Sequence, residues 1–133
     1  MMDKELTEKL KERHPQIMQD LWGDPRVTCM AFGVECGNGW YNLLDDLMTA
    51  LEVEANRSGA ESPPRAVQIK EKFGMLRFYI DAGTDKENDI IDGFEAYSGH
   101  VCEACGKPGR VKSYRGWLAA RCVDCDAKSR ETK

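Results

Sequence analysis

The chain has no long apolar run: no stretch approaches the roughly 20 apolar residues that a membrane-spanning helix needs. Histidine is scarce, with only His14 and His100 in 133 residues. Few positions can therefore supply a base near neutral pH or an imidazole ligand. Nothing at the amino terminus resembles a secretory leader, because Met1–Leu10 alternates charge with isolated apolar residues. A cytoplasmic protein is the expectation, and in that compartment disulfides are disfavoured. Internal repeats and low-complexity tracts are also missing, and 41% apolar against 32% charged residues describes an ordinary globular chain.

What the chain does have is cysteine in a telling arrangement. Four of its six cysteines form two Cys-x-x-Cys pairs, Cys102–Cys105 and Cys122–Cys125, with sixteen residues between the pairs. This is the pattern of a structural tetrathiolate zinc site. Each pair can bend into a tight turn that aims both sulfurs at one ion, and Gly106 follows the first pair where a positive φ is often needed. Four thiolates complete a tetrahedral shell and leave no open position for a substrate. Two disulfides, or four unpaired thiols, are the alternatives. His100, two residues before Cys102, is a further possible ligand in place of one sulfur.

The length suits one domain, or one domain with an appendage. We expect an α+β body over residues 1–99, with a small antiparallel sheet of one strand plus a β-hairpin packed with amphipathic helices, and a zinc-binding module over 100–133, docked rather than loosely tethered. Charge divides along the same boundary. Residues 1–99 carry 11 Lys or Arg against 19 Asp or Glu, and residues 100–133 carry 8 against 4. A zinc tetrathiolate is itself doubly negative, so the positive patch is mild. The acidic body opposes non-specific binding of a polyanion.

Within the body, Leu6, Leu10, Ile17, Met18, Leu21 and Trp22 recur at helical spacing, with Pro15 placed to open a second short helix. Thr28–Val34 reads as a buried strand, which makes Cys29 a buried, inert thiol. Trp40, Leu43, Leu44, Leu47, Met48, Leu51 and Ala55 mark one helix face, with Asp45, Asp46, Glu52 and Glu54 away from it and Asn38 as a cap. Residues 58–65 are a loop. Residues 66–81 read as a β-hairpin turning at Glu71–Gly74, with Val67, Ile69, Leu76 and Phe78 facing the core. Ile90, Ile91, Phe94 and Tyr97 give a further helix capped by Thr84 or Asp85.

Three segments bear on function. Gly33–Tyr41 places glycines around Cys36 at a strand-to-helix passage, where backbone N–H groups can lower a thiol pKa or receive an anion. A nucleophilic Cys36 needs a base, and neither histidine is near in sequence; a tight glycine turn with Trp40 as a core anchor is the simpler reading. Phe73–Phe78 partly matches an RNA-recognition signature, but Glu71, Lys72 and Met75 stand where a basic residue, a glycine and a phenylalanine belong. A hairpin with core-filling aromatics explains it more simply. Around the cysteines, Lys107, Arg110, Lys112, Arg115 and Arg121 surround Tyr114 and Trp117, which suits nucleic-acid stacking. Trp117 as the packing residue of a small module suits the pattern better.

The segments Met30–Tyr41, Val67–Tyr79 and Cys102–Gly109 resemble a family of small, uncharacterised bacteriophage- and prophage-encoded zinc-ribbon-like proteins. The similarity spans residues 14 to 125. The resemblance implies a phage origin and a zinc module, but no activity. Taken together, these readings predict a non-enzymatic accessory protein that binds a host or phage protein around one structural zinc. Nucleic-acid binding through Lys112, Tyr114, Arg115, Trp117 and Arg121 is the alternative, and an enzyme using Cys36 the third possibility.

Overall fold

The computed structural model describes residues 1–131, with side chains through Ser129; the closing residues of the expected 100–133 module lie outside that range. Helices α1 (Lys4–Arg13), α2 (Tyr41–Ser58) and α3 (Asp85–Ser98) accompany a sheet of β1 (Val34–Glu35), β2 (Ala66–Lys72) and β3 (Met75–Ile80). Its order is β1-β2-β3. β2 and β3 form the expected antiparallel hairpin, while the two-residue β1 joins β2 in parallel and makes the sheet mixed. A second hairpin, β4 (Arg110–Tyr114) with β5 (Trp117–Arg121), precedes α4 (Val123–Glu131). The result is a small α+β fold with a carboxy-terminal cysteine cluster resembling a zinc ribbon.

Local chemistry explains most of these elements. The β2–β3 turn is Phe73-Gly74, with φ of 55° and 82°. Two successive positive φ angles match a tight hairpin turn to the twist of its strands. α3 begins with a reciprocal capping box: the Thr84 hydroxyl accepts the Glu87 N–H, and the Glu87 carboxylate accepts the Thr84 N–H. α2 ends at Gly59, whose φ of 78° is the left-handed conformation that closes a helix. The core gathers Leu44, Leu47 and Leu51 of α2 with Ile69, Leu76 and Phe78 of the hairpin. These expected neighbours share one apolar cluster, except Val67. A register shift between Ala66 and Gln68 inserts an extra residue, so Ala66 and Ile69 turn inward and Val67 is half-buried.

The outer edge of β3 is closed by side chains rather than by another strand. The Leu76 N–H donates to Ser98 Oγ at 2.8 Å, and the Phe78 N–H donates to Glu95 Oε2 at 2.8 Å. Burial pushes the Glu95 carboxyl above its ordinary range, while the Phe78 N–H pulls the other way.

Several sequence expectations are corrected. Residues 15–22 form successive turns rather than a second α-helix, although Ile17, Met18 and Leu21 are buried as their spacing requires. The expected strand at 28–34 is mostly a 3₁₀ turn, Cys29–Phe32, leaving only β1 extended. The Thr28 hydroxyl accepts the Met30 N–H at 3.1 Å, and such a local side-chain bond competes with a ladder. Cys29 is consequently exposed, not buried. Asn38 does not cap α2: its side chain accepts from the Asp3 N–H and donates to the Asp3 carboxylate. Glu54, expected to face away from the core, is buried against Arg57. Asp45 and Glu52 grip the buried His14 ring at 2.6 and 3.0 Å, which fixes the segment after α1 onto α2.

Candidate metal centre

Cys102, Cys105, Cys122 and Cys125 converge, although the two pairs are separated by the whole β4–β5 hairpin. Their sulfurs all lie within 4.8 Å of one another, and Cys105 Sγ is 3.6 Å from Cys122 Sγ. Zinc–thiolate bonds of about 2.3 Å place tetrahedral sulfurs about 3.8 Å apart, so the cluster has the dimensions to coordinate a metal ion. Thiolate donors suit a soft or borderline ion such as zinc. His100 stands outside this set, exposed and tilted against Tyr97.

The first pair sits in a turn that begins at Cys102, whose carbonyl accepts the Gly106 N–H at 2.9 Å. Gly106 has the positive φ its position suggested, 84°. The second pair lies at the start of α4, where the Cys125 N–H donates to Cys122 Sγ at 3.4 Å. That N–H lowers the Cys122 thiol to about 7, and an aligned helix N-terminus favours a thiolate in the same sense. Burial and the neighbouring sulfurs push Cys125 up to about 12. Beside the site, Lys112 pairs with Asp126 at 3.0 Å and Lys107 approaches Asp124 at 3.7 Å.

The centre is locked to the body by the Gly33–Tyr41 segment. The Gly37 N–H donates to Glu103 Oε2 and the Gly39 N–H to the Glu103 carbonyl, both at 2.8 Å. The Gly37 N–H therefore receives the protein's own Glu103 carboxylate, a partner the sequence reading missed. Burial pushes that carboxyl up, and the Gly37 N–H opposes the shift. A Cβ on Gly39 would fall 2.2 Å from the Cys102 carbonyl oxygen, and one on Gly37 2.4 Å from that of Glu103. Glycine is required here for close approach of two backbones rather than for a left-handed turn. Trp40 is the expected anchor: it is fully buried and donates its indole N–H to the Val101 carbonyl at 2.9 Å. Cys36 is buried too, and burial, reinforced by Glu103, pushes its thiol well above the ordinary range. Its environment opposes a reactive thiolate.

The β4–β5 register puts Arg110, Lys112, Tyr114, Trp117 and Arg121 on one face of the hairpin, with Arg115 at its turn. Arg121 stacks its guanidinium 4.8 Å from the Tyr114 ring centre, and Lys112 is engaged by Asp126. Arg110 and Arg115 are exposed. Trp117 is 74% exposed and Leu118 is also exposed, so Trp117 is not the packing residue expected; its place at the β4–β5 turn carries it away from the core. Phe73, expected in the core, is 66% exposed at the other hairpin turn. The two tips together border a groove of about 380 Å³. Sequence reasoning treated these turns separately, because nothing local signals that two hairpins 40 residues apart end side by side.

Among the described residues, no helix is long and apolar enough to cross a membrane. Comparison with protein-family models, curated proteins and solved structures finds no match for this chain.

Proposed function

We propose that this chain is a non-enzymatic binding protein that engages another protein, with one structural zinc held by Cys102, Cys105, Cys122 and Cys125. A domain of residues 1–99 carries the core, and the module from residue 100 onward carries the metal and part of the docking surface. The zinc reading rests on four thiolate donors of tetrahedral dimensions. A closed sulfur shell stabilises the fold and leaves no position for substrate chemistry. The observation that carries the binding role is the gathering of exposed Phe73, Trp117 and Leu118 at two adjacent hairpin tips. Large apolar side chains collected in one place, with cations beside them, characterise interaction surfaces rather than ordinary solvated ones. The resemblance to small phage-encoded proteins accords with an accessory role directed at a host or phage protein in the host cytoplasm. A stoichiometric protein complex recovered from nuclease-treated extract tests the role, with elemental analysis of the purified chain testing the metal. A complex that disappears with nuclease treatment would reject protein binding.

The exposure of Trp117 supports a second reading, nucleic-acid binding by the face of Lys112, Tyr114, Arg115, Trp117 and Arg121. That reading requires affinity that falls steeply with salt, each phosphate contact contributing about 0.7–0.9 to the log–log slope. The acidic whole, with net charge −4, weighs against it.

A further inference from the structure

The groove between the two hairpin tips has a composition that selects among partners. Its floor and walls come from Lys70, Glu71, Lys72 and Phe73 on one hairpin and from Gly116, Trp117 and Leu118 on the other. Both tips are held by their backbones. Phe73 and Gly74 adopt positive φ, as do Arg115 and Gly116 at 55° and 83°, so each is a tight two-residue turn with little freedom to collapse. Gly74 lies close against β4, since a Cβ there would fall 2.8 Å from Val111 Cγ1. The rings of Phe73 and Trp117 are therefore carried on short turns, which leaves few backbone residues to order on binding.

Charge around this slot is local. Lys72 lies over the Phe73 ring, 5.6 Å from its centre, and both Lys70 and Lys72 line the groove. Of the cations along the module, Lys112 pairs with Asp126, Lys107 lies near Asp124 and Arg121 stacks over Tyr114, while Arg110 is exposed. Glu71 also lines the groove and donates nothing; its carboxylate accepts the Gly74 N–H at 2.7 Å. A nucleic-acid strand needs a run of free cations along its path. A short peptide needs one apolar slot and two or three countercharges, and that is what the tips offer.

Resting on the protein-binding reading above, we propose that this groove docks an acidic peptide segment, its apolar side chain seated between Phe73 and Trp117 and its carboxylates facing Lys70 and Lys72. Leu118 completes the apolar wall. Charge complementarity sets orientation and on-rate, and the buried anchor carries most of the affinity.

The test uses zinc-loaded full chain and fluorescein-labelled peptides read by anisotropy: one with a central Leu-Trp flanked by Asp and Glu, one with the acids replaced by Lys, and a twelve-nucleotide oligo-dT. The acidic peptide is expected to bind at least about tenfold tighter than either control. Trp117→Ala and the Lys70→Glu/Lys72→Glu double variant should each weaken it by about tenfold or more. Phe73→Asn removes the ring while keeping a residue suited to positive φ, so it should weaken binding without loss of melting temperature or metal content. Acidic-peptide binding unchanged in all three variants, or equal binding of the Lys peptide, overturns the groove assignment. A stoichiometric protein complex from nuclease-treated extract that survives Trp117→Ala also overturns the groove, while leaving protein binding in place. Oligo-dT bound more tightly than the peptide, and lost in Trp117→Ala, overturns both.

Discussion

The body and the metal module are ordered by different means. In the body, Leu44, Leu47, Leu51, Ile69, Leu76 and Phe78 are sealed from water in one cluster, and burial of apolar surface supplies the driving force. Among the described residues of the module, the buried apolar ones are small or are candidate ligands: Ala119, Ala120, Cys102 and Cys122. Its one tryptophan points into solvent. A hairpin and a nine-residue helix with that little buried surface are too small to fold on hydrophobic burial alone. On the structural-zinc reading proposed above, coordination stands in for a core there, and the glycine contact with the body supplies the remainder.

Metal removal should break this contrast most sharply. Structural zinc contributes about 10–16 kcal/mol in small modules at neutral pH. Chelation, or Cys105→Ser, should abolish hydrogen-exchange protection over residues 100–125 while β2, β3 and α2 stay protected. Cys36→Ser should leave the metal content unchanged. Protection surviving chelation would mean that packing holds the module. The converse experiment is Leu47→Ala, expected to cost about 2–5 kcal/mol of unfolding free energy in denaturant titration. Metal stoichiometry should be unaltered in the folded fraction.

Gly39→Ala addresses the junction between the two regimes. Its new Cβ would meet the Cys102 carbonyl at 2.2 Å, so we expect a loss of about 1–3 kcal/mol together with faster metal release to a competing chelator. Stability lost without faster release would show that the body feels the strain but the metal turn does not.

The smallest effect concerns Asp45. Burial pushes its carboxyl up, but hydrogen bonds from Arg13 and His14 outweigh that and hold it below the ordinary range. A depressed folded-state value contributes stability above the ordinary Asp range near about 3.9, and that contribution is lost as pH falls through the lower folded value. Asp45→Asn should therefore cost about 1 kcal/mol at pH 7. Its deficit relative to the unsubstituted chain should shrink as pH drops below about 4. A deficit independent of pH would assign the loss to packing.

The cysteine spacing alone identified the four residues that converge, because a metal site written as two short pairs is a local signal repeated once. The hairpin, α2 and α3 were equally legible, since alternation, a long apolar face and a capping box all act over a few residues. What escaped were long-range substitutions of one partner for another. Thr28 diverts Met30 from a strand, Asp3 claims Asn38 before it can cap a helix, and Glu103 fills the backbone nest beside Cys36. The extra residue near Gln68 turns Val67 off the core, although its alternation with Ile69 is unbroken in the sequence. The position of Trp117 was misjudged for a related reason: an aromatic in a core-poor module invites a packing role until its turn is located.

The closed margin of β3 has a consequence for the protein under stress. Met75-Leu-Arg-Phe-Tyr-Ile80 is a six-residue stretch rich in apolar and aromatic groups, free of proline and glycine, and carrying a single charge, the kind of segment that stacks into cross-β fibrils. With Ser98 and Glu95 occupying the Leu76 and Phe78 amides, addition of a second chain at this edge is opposed. α3 therefore acts as a guard against self-propagating assembly. Ser98→Ala combined with Glu95→Ala should shorten the lag before thioflavin-positive aggregates form, even where the monomer remains folded.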